Sequence, residues 1–544
     1  MNLMLPSEVH TQLVFLLAEV RTQVQTLKTL FKNPSNTLAR SLLARSGHTY
    51  NLRQRVHARC IKAFQHQDRL HAQSLKAAGD IADELERIAA LCRDAARDLP
   101  QIQQRRILEE HKYLKRFNQI DAALALLERI LEHADTREAL QLSQTQQKLA
   151  RFYRRSRRAH LKALKHSDQT ESLITSLFLA RHLLEMGNAL VNISEALIGV
   201  MLGQTMNLEQ FLSLKAMVGN LGLDKELDAL SLSQIAETRS GSAISALSHE
   251  PGSDAFIGVL KEGELRKVQE ERRGLERWNA IFPGIAPQIL SQHNQGQSGA
   301  LIIEHLPGYT LEQLLVSGPN TTREAAITRL IEILPQLWLK TRKNQKVNAE
   351  YLQQLKRRLP GILNVHPEFD YGHTRIGDLE RLAFRALLSR VELIETKLNA
   401  PFSVYIHGDF NLDNILFDDE QQKIKFIDLH RSRASDYVQD VSVFMVSCLR
   451  LPLFDSESRQ RLEQTALQLF LCAQQFADSQ EDGLFAARMT LALARSLITS
   501  TRFILDESHA RGLFERGVYL LEHLVHSDPF SDHYELPIKE LLHA

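Results

Sequence analysis

Proline is absent between Pro100 and Pro251, and only three of the chain's 15 prolines lie before residue 250. Proline removes an amide donor and breaks helix interiors, so a long stretch without it, and poor in glycine, specifies uninterrupted helices. Apolar residues here recur at three- and four-residue steps. Ile81, Leu85, Ile88 and Cys92 share one face, and Leu183, Met186, Leu190, Ile193 and Leu197 share another. This spacing predicts an all-helical bundle over residues 1–218. The segments GDIADELERIAALCRDA and LARHLLEMGNALVNISEAL repeat one phrase, each after an amphipathic helix, which predicts a duplicated three-helix unit.

Charge divides the chain at nearly the same place. Residues 1–220 hold 31 Lys and Arg against 21 Asp and Glu, and residues 221–544 hold 35 against 44, a net +10 and −9. The helix from Lys148 to Lys165 carries Lys148, Arg151, Arg154, Arg155, Arg157, Arg158, Lys162 and Lys165 with no acidic residue. Such a run is a solvated face or a docking surface for an anionic partner, including the acidic half of the same chain. Only Phe152 and Tyr153 interleave with it, which argues against a stacking platform for nucleic acid. The start lacks a basic segment followed by an apolar core, and no span of about 18 apolar residues is expected, so the chain reads as cytoplasmic. Cys60, Cys92, Cys448 and Cys472 form no CxxC pair and read as ordinary buried thiols.

After residue 223 the texture changes. The β-like runs LSLSQIAE, AISALSH and AFIGVLK are separated by the turn compositions TRSGS and EPGSD. A charged helix follows from Gly263 to Ala280, then a hairpin, PQILSQ and ALIIEHL, around HNQGQSG. Three strands, a helix and two strands over residues 225–308 make the small lobe of a kinase-like fold. Residues 309–544 are expected to be its helical large lobe, interrupted by SVYI, ILF and KIKFID. The fold class is thus α+β, a helical double bundle followed by a bilobal kinase-like part.

The chemistry is concentrated in VYIHGDFNLDNILFDDEQQKIKFIDLHRSRASDYVQD. His407, Gly408 and Asp409 are followed by Asn414 and, after two short strands, by Asp428. Phosphoryl transfer asks for this set: an aspartate to orient and deprotonate the acceptor hydroxyl, an asparagine five residues on to hold magnesium, and a second magnesium-binding aspartate beyond a hairpin. The spacing sets Asp409 and Asn414 at the two ends of one tight loop and brings Asp428 to the metals from the other flank. Catalysis is assigned to Asp409 with His407, and the metal to Asn414 and Asp428. In the small lobe Lys261 closes the third strand as a phosphate-gripping lysine. Glu271 is its preferred helical partner over Glu270, since Leu275 and Trp278 follow on the same face. The loop holding Ser240, Gly241 and Ser242 would cover the phosphates with backbone N–H groups.

The HGD-x4-N, ID and late-aspartate pattern resembles the aminoglycoside phosphotransferase and choline kinase family, over about residues 228–540. The resemblance implies ATP or GTP with Mg2+, and a small-molecule alcohol as acceptor. It also implies that Asp436 and Asp440 brace the loop, and that Glu304 and His305 in LIIEHLPGYTLEQ form the hinge where adenine meets backbone. The helical part, over about residues 8–212, resembles PhoU-like domains with their repeated LERIGDHAVNIAE-type phrase. Here the acidic metal positions of that phrase are broken by Ala90 in the first copy and by Leu184 and Asn188 in the second, leaving Glu86 alone. The bundle is therefore expected to regulate or dock, without a metal cluster.

Two features separate the chain from protein kinases: Gly408 stands where an arginine would anchor a phosphorylated activation loop, and only seven residues separate Asp428 from Asp436. The acceptor class stays open. The acidic balance suits an amine such as an aminoglycoside or choline, whereas IDLHRSR is similar to lipopolysaccharide and sugar kinases, with Arg431 or Arg433 facing an anionic acceptor. Residues 341–400 and the helices after Asp440 are expected to build its pocket. The competing reading is a catalytically silent, nucleotide-sensing adaptor linked to phosphate response.

Overall fold

The structure is a computed structural model that describes residues 5–65, 72–102, 107–165, 168–203, 206–222, 231–237, 243–248 and 256–542. The chain packs as two compact units, Met1–Gly263 with Ser291–Ile302, and Glu264–Leu290 with Ile303–Ala544.

Among the described residues the first unit begins with eight α-helices: α1 (Ser7–Lys32), α2 (Asn36–Leu43), α3 (Ser46–Phe64), α4 (Ala72–Asp98), α5 (Glu110–Glu132), α6 (Thr136–Ala163), α7 (Thr170–Leu202) and α8 (Leu208–Asn220). The apolar stripes read from the sequence are its seams: Ile81, Leu85, Ile88 and Cys92 of α4 and Leu183, Met186, Leu190, Ile193 and Leu197 of α7 are all buried. Helices α1, α3 and α4 pack as one three-helix set and α5, α6 and α7 as the second, joined along α4 and α7. The two copies of the repeated phrase meet across that seam, where Arg87 Nη2 lies 3.0 Å from Glu185 Oε2 and Asn192 Nδ2 donates to Glu84 Oε1 at 2.8 Å. Helix α7 is long and apolar enough to cross a membrane by length and composition, contrary to the expectation that no such span exists. More than half of that window is buried inside the protein, so its apolarity belongs to the bundle core.

Among the described residues a five-stranded sheet follows, in the order β1 (Ser231–Glu237), β2 (Ala243–Ser248), β3 (Phe256–Glu264), β5 (Ser298–Ile303), β4 (Ile289–Gln295). Strand β4 runs past the expected end to Gln295, because Gly296 at φ +58° closes a tight hairpin in place of a long loop. The sheet is fixed to α8 by polar contacts as well as apolar ones. Ser291 Oγ donates to the Met217 carbonyl at 3.1 Å, and Gln210 Nε2 to Glu262 Oε2 at 3.1 Å. Burial lifts the Glu262 carboxyl to about 7.

The second unit contains α9 (Leu265–Ile281), β6 (Tyr309–Thr310), α10 (Leu311–Ser317), α11 (Asn320–Thr341), α12 (Tyr351–Val365), β7 (Thr374–Ile376), β8 (Leu379–Arg381) and α13 (Phe384–Glu395). It continues with β9 (Val404–Ile406), β10 (Ile415–Asp418), β11 (Lys423–Phe426), β12 (Arg433–Ser435), α14 (Val438–Leu449), α15 (Ser456–Ser479), α16 (Phe485–Ser500), α17 (Glu507–His526) and α18 (Ile538–Leu542). The expected strands near residues 403–428 are β9, β10 and β11. Strands β6, β7, β8 and β12 were not anticipated, because none exceeds three residues and a period of two needs more to show. β10 pairs antiparallel with β11 and also with β6, while β12 returns to pair with β9. Those two small sheets hold the segment that carries the candidate chemistry.

Beneath it lies a buried polar network. Arg488, 1% exposed, donates from Nε to Asp436 Oδ2 at 2.8 Å and from Nη1 and Nη2 to Asp482 at 2.7 and 2.6 Å. Tyr437 donates to Asp482 and Tyr351 to Asp436, so each buried carboxylate is met by several donors. Asp436 is thereby committed to holding α14, α16 and α12 together.

Candidate active site

The loop from His407 to Asn414 leaves β9 and enters β10, and its shape follows from three anchors. The first is Gly408, at φ +83°, where a Cβ would lie 2.4 Å from the Arg431 carbonyl oxygen. Only glycine allows the two segments to pass this closely. The second is Asp440, buried at the start of α14, whose carboxylate accepts from the His407 N–H at 2.7 Å and the Gly408 N–H at 2.8 Å. Burial raises its pKa, while the neighbouring His407 and the two N–H groups oppose that rise. The third anchor is His407 itself, fully buried. Its Nε2 lies 2.9 Å from the Ile427 carbonyl, and Asp409 N–H donates to its Nδ1 at 3.3 Å, a pair of contacts that fixes the tautomer with the proton on Nε2. Both ring nitrogens are thus used within the protein.

Asp409 is part-exposed. Its Oδ1 accepts from Asn411 Nδ2 at 2.9 Å, and its Oδ2 lies 2.9 Å from Arg431 Nη1. Asn414 donates from Nδ2 to the Asp409 carbonyl at 2.8 Å, and its own carbonyl accepts from the Ile427 N–H at 3.1 Å. That last bond ties the Asp409 loop to the Asp428 segment, one residue before the aspartate. Asp428 sits at φ +61°, a left-handed conformation costly for a residue with a Cβ, and its Oδ1 is 2.9 Å from His430 Nδ1.

Glu271 joins this segment from α9. Its ligand atom and those of Asp428 and His430 lie within 4.8 Å of one another. The approach depends on Gly274, where a Cβ would stand 2.3 Å from the Leu429 carbonyl oxygen, and on Trp278, whose Nε1 donates to Ser432 Oγ at 2.9 Å. Glu271 is 5% exposed. The carboxylate oxygens of Asp428 and Glu271 fit a hard divalent cation, and His430, hydrogen-bonded to Asp428, is placed to orient that carboxylate.

The remaining assigned residues divide by place. Lys261 lies on β3 of the first unit, opposite Ile244 in register. Ser240, Gly241 and Ser242 lie outside the described residues. Glu304 uses its N–H on the Gln288 carbonyl at 2.8 Å, and its carboxylate accepts from the Gln288 N–H at 3.0 Å. Burial lowers the pKa of His305 beside it. In the bundle, Glu86 is paired with Arg93 at 2.9 Å and Asn188 with Gln146 and Glu185, which commits these positions of the repeated phrase to contacts inside the protein. Sequence reasoning missed His430 as a neighbour of Asp428, and the direct pairing of Arg431 with Asp409. The signal for both was present in LHRSR, two and three residues past Asp428.

No curated protein matches the chain in sequence. Similar solved structures include the phosphate transport system regulatory protein PhoU from Streptococcus pneumoniae, 14% identical, covering 37% of this chain and 97% of that one at a TM-score of 0.36. A choline kinase from Cryptosporidium parvum Iowa II is 13% identical, with 58% and 94% covered at 0.34. An ethanolamine kinase from Plasmodium vivax is 14% identical, with 61% and 92% covered at 0.33. Residues 260–476 match the family model described as the phosphotransferase enzyme family, APH, and that match supports a phosphotransferase.

Proposed function

We propose that the chain is an ATP- or GTP-dependent kinase acting on a hydroxyl of a small molecule, with Asp409 as its base. The observation that carries this reading is the tie between two functional segments: Asn414 bonds to Asp409 on one side and to Ile427, next to Asp428, on the other. A proton acceptor and a cation-binding carboxylate are thereby held in fixed relation. Asp409 takes the proton of the acceptor hydroxyl as its oxygen bonds to the γ-phosphorus, and the bond to the β-phosphate bridging oxygen breaks to release the nucleoside diphosphate. Asp428 and Asn414 would hold Mg2+, which supplies charge neutralisation of the phosphates. His407, with both nitrogens used internally, is a positioning residue that sets the loop around Asp409. Lys261, the loop at Ser240–Ser242 and the hinge at Glu304–His305 keep their sequence-derived assignment to the nucleotide.

The bundle is proposed as a regulatory or docking part. Arg154, Arg155, Arg157 and Arg158 of α6 are all exposed, presenting a basic face to an anionic partner.

Asp409→Asn tests the catalytic assignment. It should lower transfer by about 10²- to 10⁴-fold while leaving nucleotide affinity nearly unchanged. Transfer within a few-fold of wild type would remove Asp409 from the role. Nucleotide binding by the wild-type protein without transfer to any alcohol would favour the sensing adaptor instead.

A further inference from the structure

Resting on that reading, we propose that the acceptor carries an anionic group, phosphate or carboxylate, beside the hydroxyl that is phosphorylated, and that the guanidiniums of Arg495, Arg358, Arg431 and Arg433 receive it. These residues come from three separate places in the second unit, the segment Arg431–Arg433, α12 and α16. Arg431 contacts Asp409 directly at 2.9 Å. Arg433, exposed on β12, donates from Nη2 to Gln439 Oε1 at 3.3 Å, and Gln439 Nε2 in turn donates to the Gly408 carbonyl at 3.4 Å. Arg358 on α12 reaches Thr499 Oγ1 at 3.5 Å. Arg495 on α16 is the most telling. It is 3% exposed, its guanidinium lies 5.4 Å from the centre of the Tyr351 ring, and its Nε and Nη2 have no hydrogen-bond partner among the described residues.

A buried guanidinium with unfilled donors is costly, of order several kcal/mol, unless an anion completes it. The charges of Asp409 and Asp440 favour the charged form of Arg495, but among the described residues no carboxylate bonds to its Nε or Nη2. Asp436 is held by Arg488 and Tyr351, Asp440 by the His407 and Gly408 amides, and Asp409 by Arg431 and Asn411. Positive charge therefore exceeds negative around Asp409. Burial, and then the mutual repulsion of Arg495, Arg502, Arg431 and Arg358, push Arg358 down to about 10, and burial does the same to Arg495. A quaternary or primary ammonium acceptor entering here would meet like charge, whereas a phosphate or carboxylate matches the planar guanidinium fork. The pairing of Arg431 with Asp409 also gains a purpose: an anionic acceptor draws Arg431 onto itself and frees Oδ2 for the hydroxyl proton.

Two measurements on the full-length protein test this. In the first, binding of inorganic phosphate is titrated calorimetrically to wild type, Arg495→Met and Arg433→Gln. The second variant alters an exposed side chain and guards against misfolding of the first. Each lost guanidinium should weaken binding about tenfold or more. In the second, transfer of labelled γ-phosphate from ATP–Mg2+ is measured on matched sets: sugar phosphates and hydroxy acids, their neutral counterparts, and their amines. Transfer to an anionic member, at a kcat/KM about 100-fold above its neutral counterpart and reduced in both variants, is the expected result; sugar phosphates against hydroxy acids tells phosphate from carboxylate. Preferred transfer to neutral or amine members overturns the anionic acceptor and leaves the kinase standing. Phosphate binding lost in both variants, without transfer to any member, upholds the anion site and overturns the kinase. Phosphate affinity unchanged in both variants overturns the anion site.

Discussion

Asp440→Asn probes the support of the catalytic loop with minimal change of shape. The native carboxylate presents one oxygen to each of two backbone donors, His407 N–H at 2.7 Å and Gly408 N–H at 2.8 Å, in a nearly fully buried position. An amide has one acceptor oxygen and one NH2. Whichever way it turns, one N–H loses its partner and faces another donor. Hydrogen bonds to charged groups contribute about 1.5–3 kcal/mol, and a buried donor left unmet costs about 1–3 kcal/mol. Burial that raises the Asp440 pKa works the other way, since the amide no longer carries a desolvated charge. The net expectation is about 2 kcal/mol for Asp440→Asn, and a larger loss for Asp440→Ala, which frees both donors. Hydrogen exchange reads this at the two amides themselves: 2 kcal/mol is about a 30-fold faster exchange of His407 and Gly408 by local opening. Turnover should fall by about 10²-fold through misplacement of Asp409, with nucleotide affinity retained. Unchanged exchange of both amides in both variants would refute the bracing role and the loop geometry built on it.

Gly408→Ala is expected to cost about 1–2 kcal/mol for the left-handed backbone alone, with the contact to the Arg431 carbonyl adding to it, and to abolish transfer; chemical denaturation with a transfer assay checks both. Asp428→Ala should weaken nucleotide binding in Mg2+ more than Asn414→Ala does, because a carboxylate brings more charge than an amide to the cation; titration of ATP with and without Mg2+ measures the difference. Burial lifts Glu262 from 4.5 to about 7, so the fold prefers its protonated form: that contribution, about 3 kcal/mol, is complete below pH 4.5 and is lost as pH rises through 7. Denaturation between pH 4 and pH 8 should show this slope in wild type and lose it in Glu262→Gln.

Much of the architecture was legible because it rests on local patterns. The proline-free stretch with three- and four-residue apolar steps gives the seams of α4 and α7, and the alternation around Asp409 gives β9, β10 and β11. What was not legible depends on approach in space. Glu271 meets Asp428 and His430 only because Gly274 lets α9 close on Leu429, and no spacing rule encodes that contact. Arg358 and Arg495 lie on helices remote in sequence from the motif, with no local signature, yet both feel the charge of Asp409. His407 was assigned to catalysis from its place beside Asp409, while burial and its two internal hydrogen bonds give it the support of the loop.

The central claim is tested most directly by phosphorus NMR of the full-length protein with ATP, Mg2+ and a mixed pool of anionic, neutral and cationic alcohols. The account predicts a new phosphate monoester resonance that grows in step with ADP and is absent with Asp409→Asn. ADP accompanied only by inorganic phosphate, or no consumption of ATP by protein that binds it, would contradict the claim that Asp409 serves a transfer to an alcohol.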